Sequence, residues 1–214
     1  MLDPDGERLR LIDDEGHALS STEATLALIE LVGDHLLGDT IALPVRMSRQ
    51  AERLASEHGV QVRHTKQSSA ALMEAATQPG VGFVADGEGG FILPGFLPAF
   101  DAVASLIKVL DLLARNGRKL SDVVAGLPRV HVAHETVVTP WDQKGMVMRS
   151  LVEQSKDRQL QLVDGVKVLH DDGWALALPD PEEPLTHVWA EAASDAGARK
   201  LAQEYGRRIR QLLR

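Results

Sequence analysis

A change of rhythm near residue 126 restricts the fold more than any other feature of the chain. Before it, short apolar runs alternate with segments of helical period, an order that implies βαβ units in a largely parallel sheet. Ser21-Thr22-Glu23 is a polar helix start, and Leu26, Ile29, Val32, Leu36 and Leu37 keep helical spacing as far as Gly38. Thr40 to Val45 is a short apolar run. Further helices are expected over 48 to 58, where Gly59 ends the pattern, and over 68 to 76, with strands over 60 to 64 and 81 to 85. A long closing helix over 97 to 115 sets Phe100, Val103, Ile107, Leu110 and Leu113 on one side, with Gly117 just past its end.

Gly126-Leu127-Pro128 is the candidate boundary. Beyond it the spacing predicts a strand over 129 to 138, a helix over 141 to 156 behind Pro140, strands over 160 to 163, 165 to 170, 173 to 178 and 185 to 190, and a last helix from Ser194. Consecutive strands between two helices favour an antiparallel α+β layer. The fold class is therefore α/β: a mixed, mostly parallel sheet domain followed by an α+β antiparallel-sheet domain. Residues 8 to 12 alternate into the turn Asp13-Asp14-Glu15-Gly16, so the chain begins inside a fold, and 1 to 19 read as a remnant hairpin ahead of units 20 to 128 and 129 to 214.

With 23 Lys plus Arg against 31 Asp plus Glu in 214 residues, the net charge of −8 opposes nucleic acid and anionic membranes as partners. Eight scattered aromatics form no base-stacking platform, and the absence of cysteine excludes disulfides, thiol nucleophiles and Cys-ligated zinc. No basic n-region precedes an apolar run at the start, and no apolar stretch reaches ~18 residues. A soluble, cytoplasmic protein is the expectation. Arg199, Lys200, Arg207, Arg208, Arg210 and Arg214 in the last helix read as complements of its dipole rather than as a binding patch.

Three loops carry carboxylates in patterns that bear on chemistry. Asp3, Asp5 and Glu7 alternate along a turn ahead of Arg8, a spacing that suits either a solvated turn or a hard divalent cation such as Mg²⁺. Asp86-Gly87-Glu88-Gly89-Gly90 follows a buried strand, where a tight turn and a polyol-binding loop are both open readings. Leu178-Pro179-Asp180-Pro181-Glu182-Glu183-Pro184 is a rigid acidic loop; its prolines remove N–H donors and its carboxylates repel anions, so it is no phosphate cradle. His131 and His134 stand at odd spacing, which in a strand puts the rings on opposite faces. The other six histidines are scattered singly.

Taken in order, these segments resemble the phosphohexomutase superfamily of phosphomannomutases and phosphoglucomutases. Asp3 to Leu9 is similar to the D-x-D-x-D-R metal loop, and Ala85 to Pro94 aligns without gaps on the sugar loop G-E-G-N-G-G-x-I-x-P. His64-Thr65-Lys66 resembles the T-K-V-G segment without its glycine, and Trp174 to Pro184 falls on the phosphate clamp W-x-x-x-R-P-S-G-T-E-P. The resemblance spans the whole chain, as the end of domain two plus domains three and four of a four-domain enzyme. It implies hexose-phosphate contacts at Arg8, Lys66, Asp86, Gly87, Glu88, Gly89 and Gly90, and a weak Mg²⁺ site at Asp3, Asp5 and Glu7. In the clamp, Leu178, Asp180, Pro181 and Glu182 replace Arg, Ser, Gly and Thr, so it is expected to be non-functional. No catalytic residue is expected in the chain, because the family's phosphoserine belongs to domain one.

One subgroup fits the departures better. Thr139-Pro140-Trp141, Lys144 to Arg149, Leu178 to Pro181 and Thr186 to Glu191 resemble the tail of bacterial mannose-1-phosphate guanylyltransferases, in which a nucleotidyltransferase domain precedes a phosphomannomutase-like region. Two expectations follow: a noncatalytic module attached to, or partnered with, a nucleotidyltransferase, or a fragment of a working phosphohexomutase whose other half is supplied elsewhere.

Overall fold

The computed structural model describes residues 1 to 213; Arg214, counted above among the helix cations, lies outside the described residues. The chain forms two compact units, Met1–Arg129 and Val130–Arg214. In the first, α1 (Ser21–Gly33) starts at Ser20, whose hydroxyl accepts the Glu23 N–H while the Glu23 carboxylate accepts the Ser20 N–H. It ends at Gly33, so Leu36 and Leu37 are not helical, contrary to the spacing argument. There follow β1 (Thr40–Pro44), α2 (Arg49–Glu57), β2 (Gln61–Thr65), α3 (Ser69–Ala76) and β3 (Val81–Ala85). Ser48 and Ser68 cap their helices. A two-residue strand β4 (Phe91–Ile92) turns back antiparallel on β3, giving the sheet order β2-β1-β3-β4. β1 is parallel to both β2 and β3 and buried along its whole length.

The closing helix α4 (Ala102–Asn116) begins five residues later than its periodicity suggests, because Pro98 interrupts the approach and the Asp101 carboxylate caps it. Its buried line is Ala102, Ser105, Val109 and Leu112. The expected apolar side is turned the other way: Val103, Ile107 and Leu110 face solvent. A short α5 (Leu120–Ala125) follows. Residues 1 to 19 form two tight turns with isolated bridges, Leu2 to Leu9 and Ile12 to Ala18, rather than a strand pair. They pack into the first unit, where Leu9 and Leu11 are buried.

The second unit is antiparallel throughout. β5 (Val132–Val138), β6 (Leu160–Gln161), β7 (Val166–His170), β8 (Gly173–Pro179) and β9 (Leu185–Glu191) lie in the order β5-β9-β8-β7-β6. A 3₁₀ turn at Trp141–Gln143 leads into α6 (Lys144–Gln154), and Ser194 caps α7 (Asp195–Leu212). Val147 and Leu151 of α6 and Ala202, Tyr205 and Ile209 of α7 close over Val168, Ala175, Ala177, Val188 and Ala190. The alanines on the sheet let both helices come close. Two of the late-helix cations are spent on ion pairs, Arg208 with Glu204 and Arg210 with Glu135. Among the described residues no helix is long and apolar enough to cross a membrane.

Candidate functional site

In the first unit the ends of three parallel strands share one edge: Lys66 follows β2, Arg46 follows β1, and the Asp86 to Gly90 loop follows β3. Ligands of open parallel sheets bind at this edge. The loop is closed by its own first carboxylate. Asp86 Oδ1 accepts the backbone N–H groups of Glu88 (2.6 Å) and Gly90 (2.8 Å), and Oδ2 accepts Arg8 Nε at 3.2 Å. Arg46 donates to the Asp86 carbonyl oxygen (3.2 Å) and to Glu88 Oε1 (2.8 Å). The N-terminal turn lies directly on the loop, Leu9 N–H donating to the Gly89 carbonyl at 2.8 Å. Gly89 has φ +101°, and a Cβ there would stand 2.8 Å from the Leu9 carbonyl oxygen, so only glycine fits. Arg8 and Asp86 to Gly90 are therefore brought together. Lys66 stands exposed at the same edge.

Asp3, Asp5 and Glu7 are not gathered. Asp3 Oδ1 accepts the N–H groups of Glu7 (2.9 Å) and Arg8 (3.1 Å), and the Arg8 N–H foremost holds that carboxyl below the usual carboxylate range. Among the described residues no group of three His, Asp or Glu side chains is placed to hold a metal ion. As folded, these residues do not fit the Mg²⁺ that the sequence pattern suggests.

In the second unit the loop between β8 and β9 is satisfied from within. Asp180 Oδ1 accepts the N–H groups of Glu182 and Glu183, both at 2.7 Å, and Oδ2 accepts His187 Nε2 at 2.9 Å. The His187 hydrogen bond, followed by the two backbone donors, pushes the Asp180 carboxyl down to about 2. The Asp180 N–H is bound to the Leu185 carbonyl. From beneath, the buried Lys144 ammonium donates to the carbonyls of Asp180 (2.6 Å) and Glu183 and lies 3.6 Å from the centre of the Trp141 ring. His187 Nδ1 meets His134 Nε2 at 3.0 Å, and the His134 ring stacks on Trp189. His131 instead pairs with Asp195, so the two histidines of the pair do part.

Arg46, Lys144 and His187 escaped the sequence reading as site residues. Arg46 carried a usable signal, a cation two residues past a buried strand at the ligand edge. Lys144 and His187 stood inside the segments that resemble the guanylyltransferase tail, but nothing there marked them as partners of the Asp180 loop, which each meets only through tertiary contact.

Residues 22–130 match the family model of phosphoglucomutase/phosphomannomutase, alpha/beta/alpha domain III. The chain belongs to the phosphoglucomutase/phosphomannomutase family. It is 29% identical over 205 residues to a probable phosphoglucosamine mutase of Methanopyrus kandleri, covering 95% of this chain and 45% of that protein. A phosphoglucomutase/phosphomannomutase of Thermococcus kodakarensis is 24% identical over 199 residues, covering 92% and 44% respectively. The fold is also that of a phosphoglucomutase/phosphomannomutase family protein from Burkholderia thailandensis, with a TM-score of 0.82 at 20% identity over 99% of this chain and 46% of that one. The chain spans about half the length of the relatives it matches. The loop Asp86 to Gly90 lies within the residues matched to domain III; in it Asp86 is buried against Arg8 and the loop's own amides, while the exposed Glu88 pairs with Arg46.

Proposed function

We propose that the chain is a noncatalytic, cytoplasmic C-terminal region of a sugar-nucleotide pathway protein of the mannose-1-phosphate guanylyltransferase type, working beside a nucleotidyltransferase domain. One observation carries the reading. Of residues 179 to 184, Pro179, Pro181 and Pro184 have no N–H, and the N–H groups of Asp180, Glu182 and Glu183 are all taken within the loop. A phosphoryl group entering there would find no free backbone donor and three carboxylates. The Asp180 carboxylate occupies the place an anion would need. The degenerate sugar loop, Asp86 to Gly90 with Arg8 and Lys66, is in this reading a recognition surface without turnover.

The names of the relatives favour a second reading, a portion of an active phosphohexomutase whose phosphoserine lies on another segment. Calorimetry and a coupled mutase assay separate the two. The purified 214-residue chain should bind neither mannose 1-phosphate nor glucose 6-phosphate at millimolar concentration, and should not interconvert mannose phosphates when glucose 1,6-bisphosphate is added. Joint replacement Leu178→Arg, Asp180→Ser, Pro181→Gly and Glu182→Thr should restore phosphate binding without turnover. Hexose-phosphate binding by the unaltered clamp would overturn the noncatalytic reading in favour of the second.

A further inference from the structure

The first unit leaves an unusual amount of apolar surface uncovered on one side. Val103, Ile107 and Leu110 of α4, spaced i, i+4, i+7, are 50%, 62% and 57% exposed. Beside them a groove of about 210 Å³, with Lys108 of α4 on its wall, runs between the loops that carry Leu37 (81% exposed) and Phe96 (71%). With the neighbouring Leu97 at 42%, the six side chains expose the equivalent of about 3.6 whole residues, on the order of 700 Å² at ~200 Å² each. The largest apolar patch of a typical monomer is ~300 to 600 Å², and a standard protein interface takes ~800 Å² from each partner.

We infer that this face of the first unit is a self-association surface, whose occupant is a second copy of this chain. Two properties point to a copy. A patch of this area is what one partner of a two-fold interface must supply, and an isologous contact uses the same patch twice. A knob and a hollow lie side by side on it: the protruding Phe96 ring flanks the groove that the partner's Phe96 would enter. An antiparallel pair of α4 helices would set Val103 of each copy against Leu110 of the other, with Ile107 near the axis.

Sedimentation velocity of the full 214-residue chain between 1 and 100 μM tests this. A reversible dimer is expected, with a dissociation constant on the order of 10 μM. Ile107→Glu and Phe96→Ser, both at exposed positions, should each weaken it by at least about 30-fold while circular dichroism shows the fold intact. Met73→Glu, at a partly exposed methionine on α3, should leave the dimer unchanged. A chain that stays monomeric at 100 μM overturns the inference and leaves the face to a different polypeptide; a dimer indifferent to Ile107→Glu overturns it equally.

Discussion

Replacing Leu9 with alanine tests whether the N-terminal turns are part of the first unit's core or a loose appendage, as a remnant hairpin without partner strands would be. Leu9 is 1% exposed, its N–H donates to the Gly89 carbonyl at 2.8 Å, and Arg8 beside it bridges to Gly90 and pairs with Asp86. Loss of a fully buried leucine side chain costs ~2 to 5 kcal/mol, the upper part applying where the surroundings cannot collapse into the gap. Here the gap would open beneath a glycine loop closed by three hydrogen bonds to Asp86, so a loss of about 3 kcal/mol is expected. The assay must read the first unit itself, because Trp141, Trp174 and Trp189 all lie in the second. Hydrogen exchange of the β3 amides in increasing urea does so. In the unaltered chain the Leu9 amide should exchange as slowly as those of Val81 to Val84. Leu2→Ala, at a position 44% exposed, should cost less than about 0.5 kcal/mol. A loss below about 1 kcal/mol for Leu9→Ala, or fast exchange at Leu9, would refute the packing described for residues 1 to 19.

Three further outcomes are expected. The Asp180 carboxyl is held at about 2, below its ordinary value, so the stabilisation it gives is complete above about pH 4 and disappears as the pH falls toward 2; carbon-detected NMR should show that low titration, and His187→Ala should raise it, whereas a titration near 3.8 in the unaltered chain would contradict the loop geometry. Burial disfavours the His58 imidazolium, but hydrogen bonds to Asp34 (2.7 Å) and Glu30 (3.2 Å) outweigh it and raise its pKa above 6.5, so its contribution is full below pH 6.5 and fades as the pH rises through the raised value; His58→Ala should destabilise more at pH 6 than at pH 9, and equal losses at both would count against the pairing. Gly89→Ala should cost ~1 to 3 kcal/mol in urea denaturation, because it adds a Cβ against the Leu9 carbonyl at positive φ, and more than Gly6→Ala, where the same backbone region has open space.

Local chemistry made much of the fold legible. Strand β3 coincides with the run Val81 to Ala85, and the serines at 48, 68 and 194 mark helix starts because each hydroxyl accepts an N–H from the first turn. The orientation of α4 was not legible. Two apolar lines run along that helix, Val103-Ile107-Leu110 and Ala102-Val109-Leu112, and periodicity finds both without saying which one meets the sheet. The line that starts with Ala102 and Ser105 faces inward because α4 packs on α1 and β4, with the Ser105 hydroxyl against the Phe91 carbonyl, a fact of packing rather than of pattern. The order and spacing of the loops were equally plain, whereas what their carboxylates touch was not, since an acidic loop that binds and one that closes on itself have the same composition.

A finer signal separates those two cases for most of the loops. Asp3, Asp13, Asp86 and Asp180 each use Oδ1 to accept two backbone N–H groups from residues two to five positions onward. In the first three a glycine stands three residues after the aspartate, Gly6, Gly16 and Gly89, and each has a positive φ that folds the chain back over the carboxylate. Asp-x-x-Gly is thus the sequence form of a turn stapled by its own first residue. Two of these turns coincide with motifs that would otherwise read as a metal loop and a sugar loop. An oxygen committed to two amides is a poor cation ligand, and amides committed to a carboxylate cannot receive a phosphate. In the fourth loop no glycine follows Asp180; prolines at 179, 181 and 184 instead limit the backbone donors within the loop to those of Asp180, Glu182 and Glu183. At Asp86 and Asp180 the residue that departs from the family's motif is itself the one that closes the loop, whereas Asp3 closes its turn with a residue that the motif shares.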